Sequence, residues 1–152
     1  MLFLQFEIGG HRYLLEAKRV ATVLPLPTLK ALPGAPAGVA GVSNYQGTAV
    51  PVLDLALLAT GRPAIDRLST RLVLVRYPTP AGERLLGLVA ERATGVSRVA
   101  DDAFASTGVS AAPWLGGVAP VAGALAQRIE INELLPPDLR AVLFQATEET
   151  YA

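Results

Sequence analysis

The chain has 152 residues, no cysteine and a formal net charge of zero. The charge balance excludes a strongly basic surface of the kind that attracts nucleic acids and acidic membranes. The absence of cysteine excludes disulfides and thiolate metal sites. A hydrophobic share of 51% excludes a disordered chain, and the length fits one domain or two small subdomains with a common core.

The first part of the chain predicts strands. Residues 2–8 alternate apolar and polar side chains, the pattern of a strand with one buried face. A Gly-Gly turn leads into a second strand over residues 11–16. A third element is predicted over residues 18–24, and residues 28–40 are a connection rich in Pro, Gly and Ala. The N-terminus lacks a basic start and a long apolar run, so it predicts neither a signal peptide nor a membrane anchor.

A turn and a strand with an unusual proline are predicted next. Ser43, Asn44 and Gly47 are interpreted as turn residues, because Asn and Gly tolerate a left-handed backbone. A strand rich in β-branched residues follows over residues 48–53 and contains Pro51. Proline gives no N–H to a ladder, so we expect an edge or a bulge at this point.

A capped helix and two further strands follow. Asp54 can cap a short helix over residues 55–60, and a glycine lies just past its end. The apolar run of residues 71–77 is typical of a strand buried on both faces. Residues 83–90 predict the returning strand, where Gly87 indicates a bulge or a close backbone approach.

The last third predicts fewer regular elements. Residues 96–100 are a strand candidate, residues 101–117 are loop-like, and residues 127–132 predict a final strand. Asn132 can cap a short turn that follows. A C-terminal helix is predicted over residues 138–149, with Asp138 as its N-cap. Its apolar stripe comprises Leu139, Val142, Leu143 and Ala146.

Few residues suggest chemistry. His11, the only histidine, lacks convergent partners and is interpreted as an exposed turn residue. Asp101 and Asp102 lack the ligand pattern of calcium loops and are interpreted as a solvated loop or a turn cap. Trp114 is interpreted as packing and not as a binding platform. Neither a nucleophile elbow nor a phosphate-binding loop is present, so we expect no enzyme, cofactor or metal.

Three segments in fixed order resemble the signature of CheW-like domains, the coupling proteins that join chemoreceptors to a CheA-type histidine kinase. These are Pro-Gly-Ala-Pro at residues 33–36, Gly-Val-Ser-Asn-Tyr-Gln-Gly at residues 41–47 and Val-Pro-Val-Leu-Asp-Leu at residues 50–55. The resemblance implies a mainly β fold of two five-stranded SH3-like barrels around a shared apolar core, with short helices and a C-terminal helix. It also implies a cytoplasmic, non-catalytic adaptor, associated with receptor arrays at the inner membrane and without membrane insertion.

We expect one CheW-like domain over residues 1–152. Runs of strands on either side of residue 62 suggest a first barrel over about residues 1–61 and a second over about residues 62–132. The C-terminal segment is expected to pack back on the first barrel.

The resemblance also implies two partner surfaces. Val20 and Gly41 lie where the family meets the regulatory domain of the kinase. The positions that meet the cytoplasmic tip of the receptor are Thr22, Val23, Gln46, Gly87, Ala93 and Val96. The valines are equally consistent with ordinary core positions, and the glycines with ordinary turns.

Two of these positions depart from the family's usual pattern. Gln46 stands where the family usually has Arg, and Thr22 lies in a segment that usually has Glu. Losing one charge would leave an unpaired ion, whereas losing both leaves a neutral Gln–Thr pairing. The receptor therefore belongs either to flagellar chemotaxis or to a chemosensory-like pathway that controls surface sensing, biofilm or twitching.

Two other classes of function remain open. A small barrel that holds a ligand would need convergent polar groups facing inward, and none are legible in the sequence. A self-associating barrel would use an edge strand near Pro51 for pairing.

Overall fold

The computed structural model describes the backbone of residues 1–108 and 112–151 and the side chains up to residue 145. The strands are β1 (Leu2–Ile8), β2 (His11–Glu16), β3 (Val20–Pro25), β4 (Val39–Tyr45), β5 (Thr48–Asp54), β6 (Arg71–Thr79), β7 (Gly82–Arg98), β8 (Leu115–Val121) and β9 (Ala124–Ile129). The α-helices are α1 (Leu55–Thr60) and α2 (Pro137–Tyr151), and single 3-10 turns span Ala17–Arg19, Asp101–Ala103 and Ile131–Glu133.

Strand β7 is 17 residues long and belongs to two five-stranded sheets. Its first half pairs antiparallel with β6 and parallel with β5, and its second half pairs antiparallel with β1. Sheet one has the order β7-β1-β2-β9-β8, and sheet two has the order β3-β6-β7-β5-β4. The fold is thus mainly β with two small SH3-like subdomains, as predicted, although the strand order of each is open.

The strand pairing divides the chain differently from the boundary near residue 62. Strand β2 lies parallel to β9, from Arg12 opposite Ala126 to Leu14 opposite Arg128. Sheet one therefore combines both ends of the chain, and sheet two is built from its middle. The turns that the sequence shows fix only local pairing, so they could not indicate this distant contact.

The buried apolar residues among those described form three clusters, one inside each sheet and one between them. The cluster between them, which we call the shared core, takes side chains from both sheets and from α1 and α2. Strand β6 shows how the clusters alternate: Val73 and Val75 face the shared core, whereas Leu72 and Leu74 face the interior of sheet two. This strand is buried on both faces, as its sequence predicts.

Three hairpins use the same two-residue turn. The loop residues are Gly9-Gly10, Gln46-Gly47 and Ala122-Gly123, and the first residue of each has φ between 49° and 57°. Such left-handed turns match the twist of the flanking strands. Ser43 and Asn44 lie in β4 and not in the turn, which corrects the sequence interpretation. The side chain of Asn44 supports the turn by accepting a hydrogen bond from the N–H of Gly47 at 3.0 Å.

Pro51 occupies an inner strand, so the predicted edge is wrong. The alternative prediction, a bulge, is confirmed, because the pairing of β4 with β5 shifts register between Val39 and Gly41, next to the residue opposite Pro51. Strand β5 lies between β4 and β7, and its pairing with β7 begins at Val52, directly after the proline. Val42 lies opposite Pro51 in β4. It donates its N–H to the carbonyl of Lys30 at 2.8 Å, and its own carbonyl accepts the N–H of Lys30 at 2.9 Å. The proline therefore meets a strand position that needs no hydrogen bond from it. Self-association through this strand is limited, because β4 covers one of its sides and β7 covers the other from Val52 onward.

Asp54 organises the corner after β5, as predicted. Its Oδ1 accepts the N–H groups of Ala56 and Leu57 at 3.0 and 3.1 Å, and its Oδ2 accepts the N–H of Ala64 at 2.9 Å. Gly61 ends α1 with a φ of 77°. One buried carboxylate therefore caps the helix and fixes the linker, residues 61–70, that leads to β6.

The C-terminal half contains more strand than predicted. The two strands expected over residues 83–90 and 96–100 are one strand, β7. Strand β8 begins inside the predicted loop, and β9 ends before the last residues of the predicted final strand. Gly-Gly and Pro within β8 hide the alternation by which a strand is recognised.

Two predicted helix caps are also corrected. Asn132 lies inside a 3-10 turn that has no side-chain cap, and Asp138 lies in the first turn of α2, after Pro137. In α2, Leu143 and Phe144 are buried, whereas Val142 is exposed. The side chain of Ala146 lies outside the described residues.

Tyr77 connects β6 to the segment that enters α2. Its hydroxyl lies 3.0 Å from the carbonyl oxygen of Asn132 and 3.2 Å from that of Leu135, and it accepts the N–H of Leu135 at 3.2 Å. Burial raises the pKa of this phenol. The neutral form is therefore the one that stabilises the folded chain.

We expect Tyr77→Phe to lower the free energy of unfolding by about 1–2 kcal/mol, because it removes the acceptor and donor that Leu135 and Asn132 use. Because the pKa of Tyr77 is raised in the folded state, the phenol contributes fully to the free energy of unfolding below the unfolded-state pKa of about 10. This contribution is lost as the pH rises through the folded-state pKa. Urea unfolding from pH 8 to pH 11 should therefore show a steeper loss for the wild type than for the variant. Parallel curves would contradict this role, and the other tyrosines cancel in the comparison.

We expect Asp54→Ala to lower the free energy of unfolding by about 2–4 kcal/mol, because three backbone N–H groups lose their acceptor. Asp54→Asn keeps one acceptor oxygen and should lose less. Exposed Asp102 is the matched control, and its alanine variant should stay within about 0.5 kcal/mol. Equal stabilities of Asp54→Ala and Asp102→Ala would contradict the role of Asp54.

Candidate functional site

The two sheets meet where β7 passes from one to the other. Arg92 has a φ of 49°, and the register between β1 and β7 shifts between Gln5 and Glu7. The strand therefore changes direction after Ala90, its last residue paired with β6. The linker lies beside this bend, because the N–H of Ala93 donates to the carbonyl of Ser69 at 3.1 Å.

Strand β3 carries three of the predicted interface residues on two faces. A register shift between Val20 and Thr22 brings Val20 opposite Val75 and Val23 opposite Val73, so both half-buried valines pack against the shared core. Thr22 lies opposite Leu74, on the other face. Since β3 ends the strand order of sheet two, these valines sit at the margin of the core.

The hairpin of β4 and β5 carries two more of the predicted interface residues, and these two differ in exposure. Gly41 is buried with a φ of 144°, and a Cβ there would collide with the carbonyl oxygen of Lys30. Gln46 is exposed at the tip of the hairpin. In the described part of the chain no hydrogen bond joins Gln46 to Thr22, so the neutral pairing that the sequence suggests is not formed.

Strand β7 carries the remaining three predicted interface residues. Gly87 is buried, and a Cβ there would lie 2.9 Å from side-chain atoms of Leu72 and of Val52. This is the close approach that its position in a strand predicts. Ala93 is buried in the shared core. Val96 alone is a freely accessible apolar side chain, with 62% of its surface exposed.

The predicted interface residues therefore do not form one patch. Val20, Val23 and Ala93 pack into or against the shared core, and Thr22 lies on the other face of β3. Gln46 and Val96 are exposed, and Gly41 and Gly87 are sites of close packing. A substitution at either glycine acts first on the backbone or the core and only then on a surface.

The linker presents two apolar side chains that sequence reasoning missed. Leu68 is 98% exposed and Ile65 is 53% exposed. Both stand in a segment that is rich in charged and hydroxyl side chains, and two large apolar residues three apart were the available signal. Each end of this segment is fixed, since Ile65 N–H donates to Glu91 at 3.2 Å and Thr70 Oγ1 donates to the carbonyl of Ile65. The two exposed side chains are therefore carried by a backbone that hydrogen bonds hold in place.

The residues considered for chemistry are placed as interpreted. His11 is exposed beside its turn, Asp101 and Asp102 lie in a 3-10 turn, and Trp114 is buried in the shared core. The described residues contain no group of three or more His, Cys, Asp or Glu side chains arranged to hold a metal ion. Among the described helices, none has the length and apolar character needed to span a bilayer.

Comparison with known proteins gives a consistent assignment. A crystal structure of the scaffolding protein TtCheW from Thermoanaerobacter tengcongensis has the same fold, with a TM-score of 0.74 and 18% identity over 86% of this chain and 84% of that chain. A search of curated proteins finds no match. The family model of the CheW-like domain matches residues 2–137. Since this match spans most of the sequence, the chain belongs to the CheW-like domain family.

Proposed function

We propose that this chain is a non-catalytic adaptor that couples a chemoreceptor to a CheA-type histidine kinase in a cytoplasmic chemosensory array. Membership of a family of chemotaxis scaffold proteins supports the general role. The observation that carries the more specific proposal is the exposure of Val96 beside the junction of the two sheets, since an apolar side chain is expected to be covered where a partner binds.

We place the receptor tip against Val96 and the nearby junction. Ala93 lies three residues before it and is covered by the linker, which also exposes Leu68. Val23 reaches the margin of the same core from β3. Exposed Val96 and Leu68 and half-buried Val23 offer apolar side chains to a helical hairpin, and apolar side chains are typical of the centre of an interface.

Gln46, at the tip of the hairpin of β4 and β5, is the proposed second receptor contact. It has a φ of 50° at the turn position where Gly, Asn and Asp are strongly preferred. Its side chain is exposed at the tip of the hairpin, where a partner can reach it. The neutral Gln46 and Thr22 would suit a receptor surface without the charges that the family usually meets, and a non-flagellar output remains as consistent as flagellar chemotaxis.

We place the kinase contact near Val20 and Gly41. Gly41 itself is buried, so its part in this contact is indirect. A side chain there would displace Lys30 and break the two hydrogen bonds between Lys30 and Val42, which hold the connection before β4 against the sheet. The backbone between Lys30 and β4 is therefore the proposed surface, and the glycine preserves its shape.

The proposal is tested by a pull-down from the source cell's lysate, with mass spectrometry as readout. The wild type should recover both a histidine kinase and a receptor. Val96→Asp should recover the kinase but bind the receptor about tenfold more weakly or worse, because an unpaired carboxylate would be buried. Leu125, which is 67% exposed on β9, provides the control, and Leu125→Asp should recover both partners.

A folded wild-type bait that recovers neither partner would contradict the adaptor role. Equal loss of kinase and receptor by Val96→Asp, with an unchanged circular dichroism spectrum, would contradict the separation of the two surfaces.

Gln46→Asn should separate stability from binding. Asn suits a left-handed turn, so the free energy of unfolding should rise by about 0.5 kcal/mol, while receptor binding should weaken by about fivefold through a lost side-chain contact. Ala122 has the same turn geometry, with a φ of 49°, and Ala122→Asn should give the same stability gain without a change in binding. Identical receptor affinities of the two variants would contradict a role for Gln46.

A further inference from the structure

A groove of about 580 Å³ lies between the turn of β1 and β2, the end of α1 and the linker. We call it the hairpin groove. Five ionisable side chains line it, Arg62, Arg67, Arg92, Glu7 and Glu91. The residues that we place at the kinase and receptor surfaces do not line it, so it belongs to neither proposed contact.

Only some of the charged side chains that line the groove have a partner within it. Arg92 lies 3.7 Å from Glu7, and Glu91 accepts the N–H of Ile65 at 3.2 Å. The guanidinium groups of Arg62 and Arg67 have neither an ion pair nor a hydrogen bond within the described part of the chain, and both residues are exposed. The groove thus carries a net positive charge, which its two unpaired arginines supply.

The backbone that carries these arginines is held in place. Ala64 donates its N–H to Asp54, and Ile65 donates its N–H to Glu91. These two bonds lie between Arg62 and Arg67 along the chain, so the two positive groups flank a fixed segment. Ile65 stands between them, with half of its surface open to solvent.

We propose that the hairpin groove binds a short acidic segment of a partner protein. Its carboxylates would pair with Arg62 and Arg67, since the planar guanidinium matches a carboxylate in a two-bond geometry. An apolar residue between those carboxylates would contact Ile65. A protein segment is favoured over a small molecule because most of the lining residues are exposed, whereas small-molecule sites bury most of their ligand.

Two glutamates of the groove limit which anion fits. Glu7 and Glu91 add two negative groups beside the arginines, and a doubly charged phosphate is repelled by them more than a single carboxylate is. The expected ligand groups are therefore carboxylates and not phosphates. The binding of an acidic segment does not depend on coupling between kinase and receptor.

The test is fluorescence anisotropy of the whole chain with a short labelled peptide in which glutamates flank a leucine. The same peptide with glutamines is the reference. The wild type should bind the acidic peptide, and binding should weaken as salt is added. The double variant Arg62→Gln and Arg67→Gln should bind about tenfold more weakly, since each exposed pair contributes up to about 1 kcal/mol.

Two further variants sharpen the test. Arg98 is exposed on β7 outside the groove, and Arg98→Gln should leave the affinity unchanged. Glu7→Gln removes a negative charge from the wall and frees Arg92, so it should raise the affinity by about threefold. This gain cannot come from a loss of fold.

Several results would overturn the proposal. These are equal binding of the glutamine peptide, no binding by the wild type, and an equal loss in Arg98→Gln and the double variant. Inorganic phosphate that displaces the peptide more strongly than acetate at the same ionic strength would show a general anion site instead. The assay contains neither kinase nor receptor, so its failure leaves the adaptor function untouched.

Discussion

The structure depends on one strand that belongs to both sheets. Strand β7 pairs with β5 and β6 in its first half and with β1 in its second. The two sheets cannot move apart without breaking its hydrogen bonds, and the shared core fills the space between them. Its bend at Arg92 creates the junction beside which the proposed receptor contact and the hairpin groove both lie.

The linker extends this constraint to the surface. It is bound to sheet two through Asp54 and to β7 through Glu91 and Ala93. Both anchors are made by backbone groups of the linker, which leaves its side chains free to face partners. Exposed Ile65 and Leu68 are stabilised in place by hydrogen bonds that do not involve their own side chains, and this is how an apolar surface is kept without collapse.

Local signals in the sequence predicted much of this fold. The Gly-Gly turn, the cap at Asp54 and the doubly buried β6 each act within a few residues, and each is confirmed. Strands β4 and β8 were missed because they contain glycine, serine or proline where an alternating pattern would place branched residues. The parallel pairing of β2 with β9 joins residues more than a hundred positions apart, and no local pattern reports it.

The candidate site was harder to predict, because exposure is a property of the fold. Val23 and Val96 look alike in sequence, yet one packs against the shared core and the other is exposed. Gly41 and Gly87 were assigned to surfaces through resemblance, and the structure shows a packing reason for each glycine. A substitution at such a position would act first on packing, and a sequence motif does not distinguish this from a role in direct contact.

The same distinction explains how this fold tolerates low sequence identity. Gly87, Asp54 and the shared core are fixed by atoms a few ångströms away, so a change there costs stability. Gln46 forms no side-chain hydrogen bond within the described residues and is exposed, so folding does not require the charge that the family usually carries there. Surface residues of this kind can follow a change of partner while the packing positions stay. A likeness of fold at 18% identity is therefore compatible with surfaces that differ in charge.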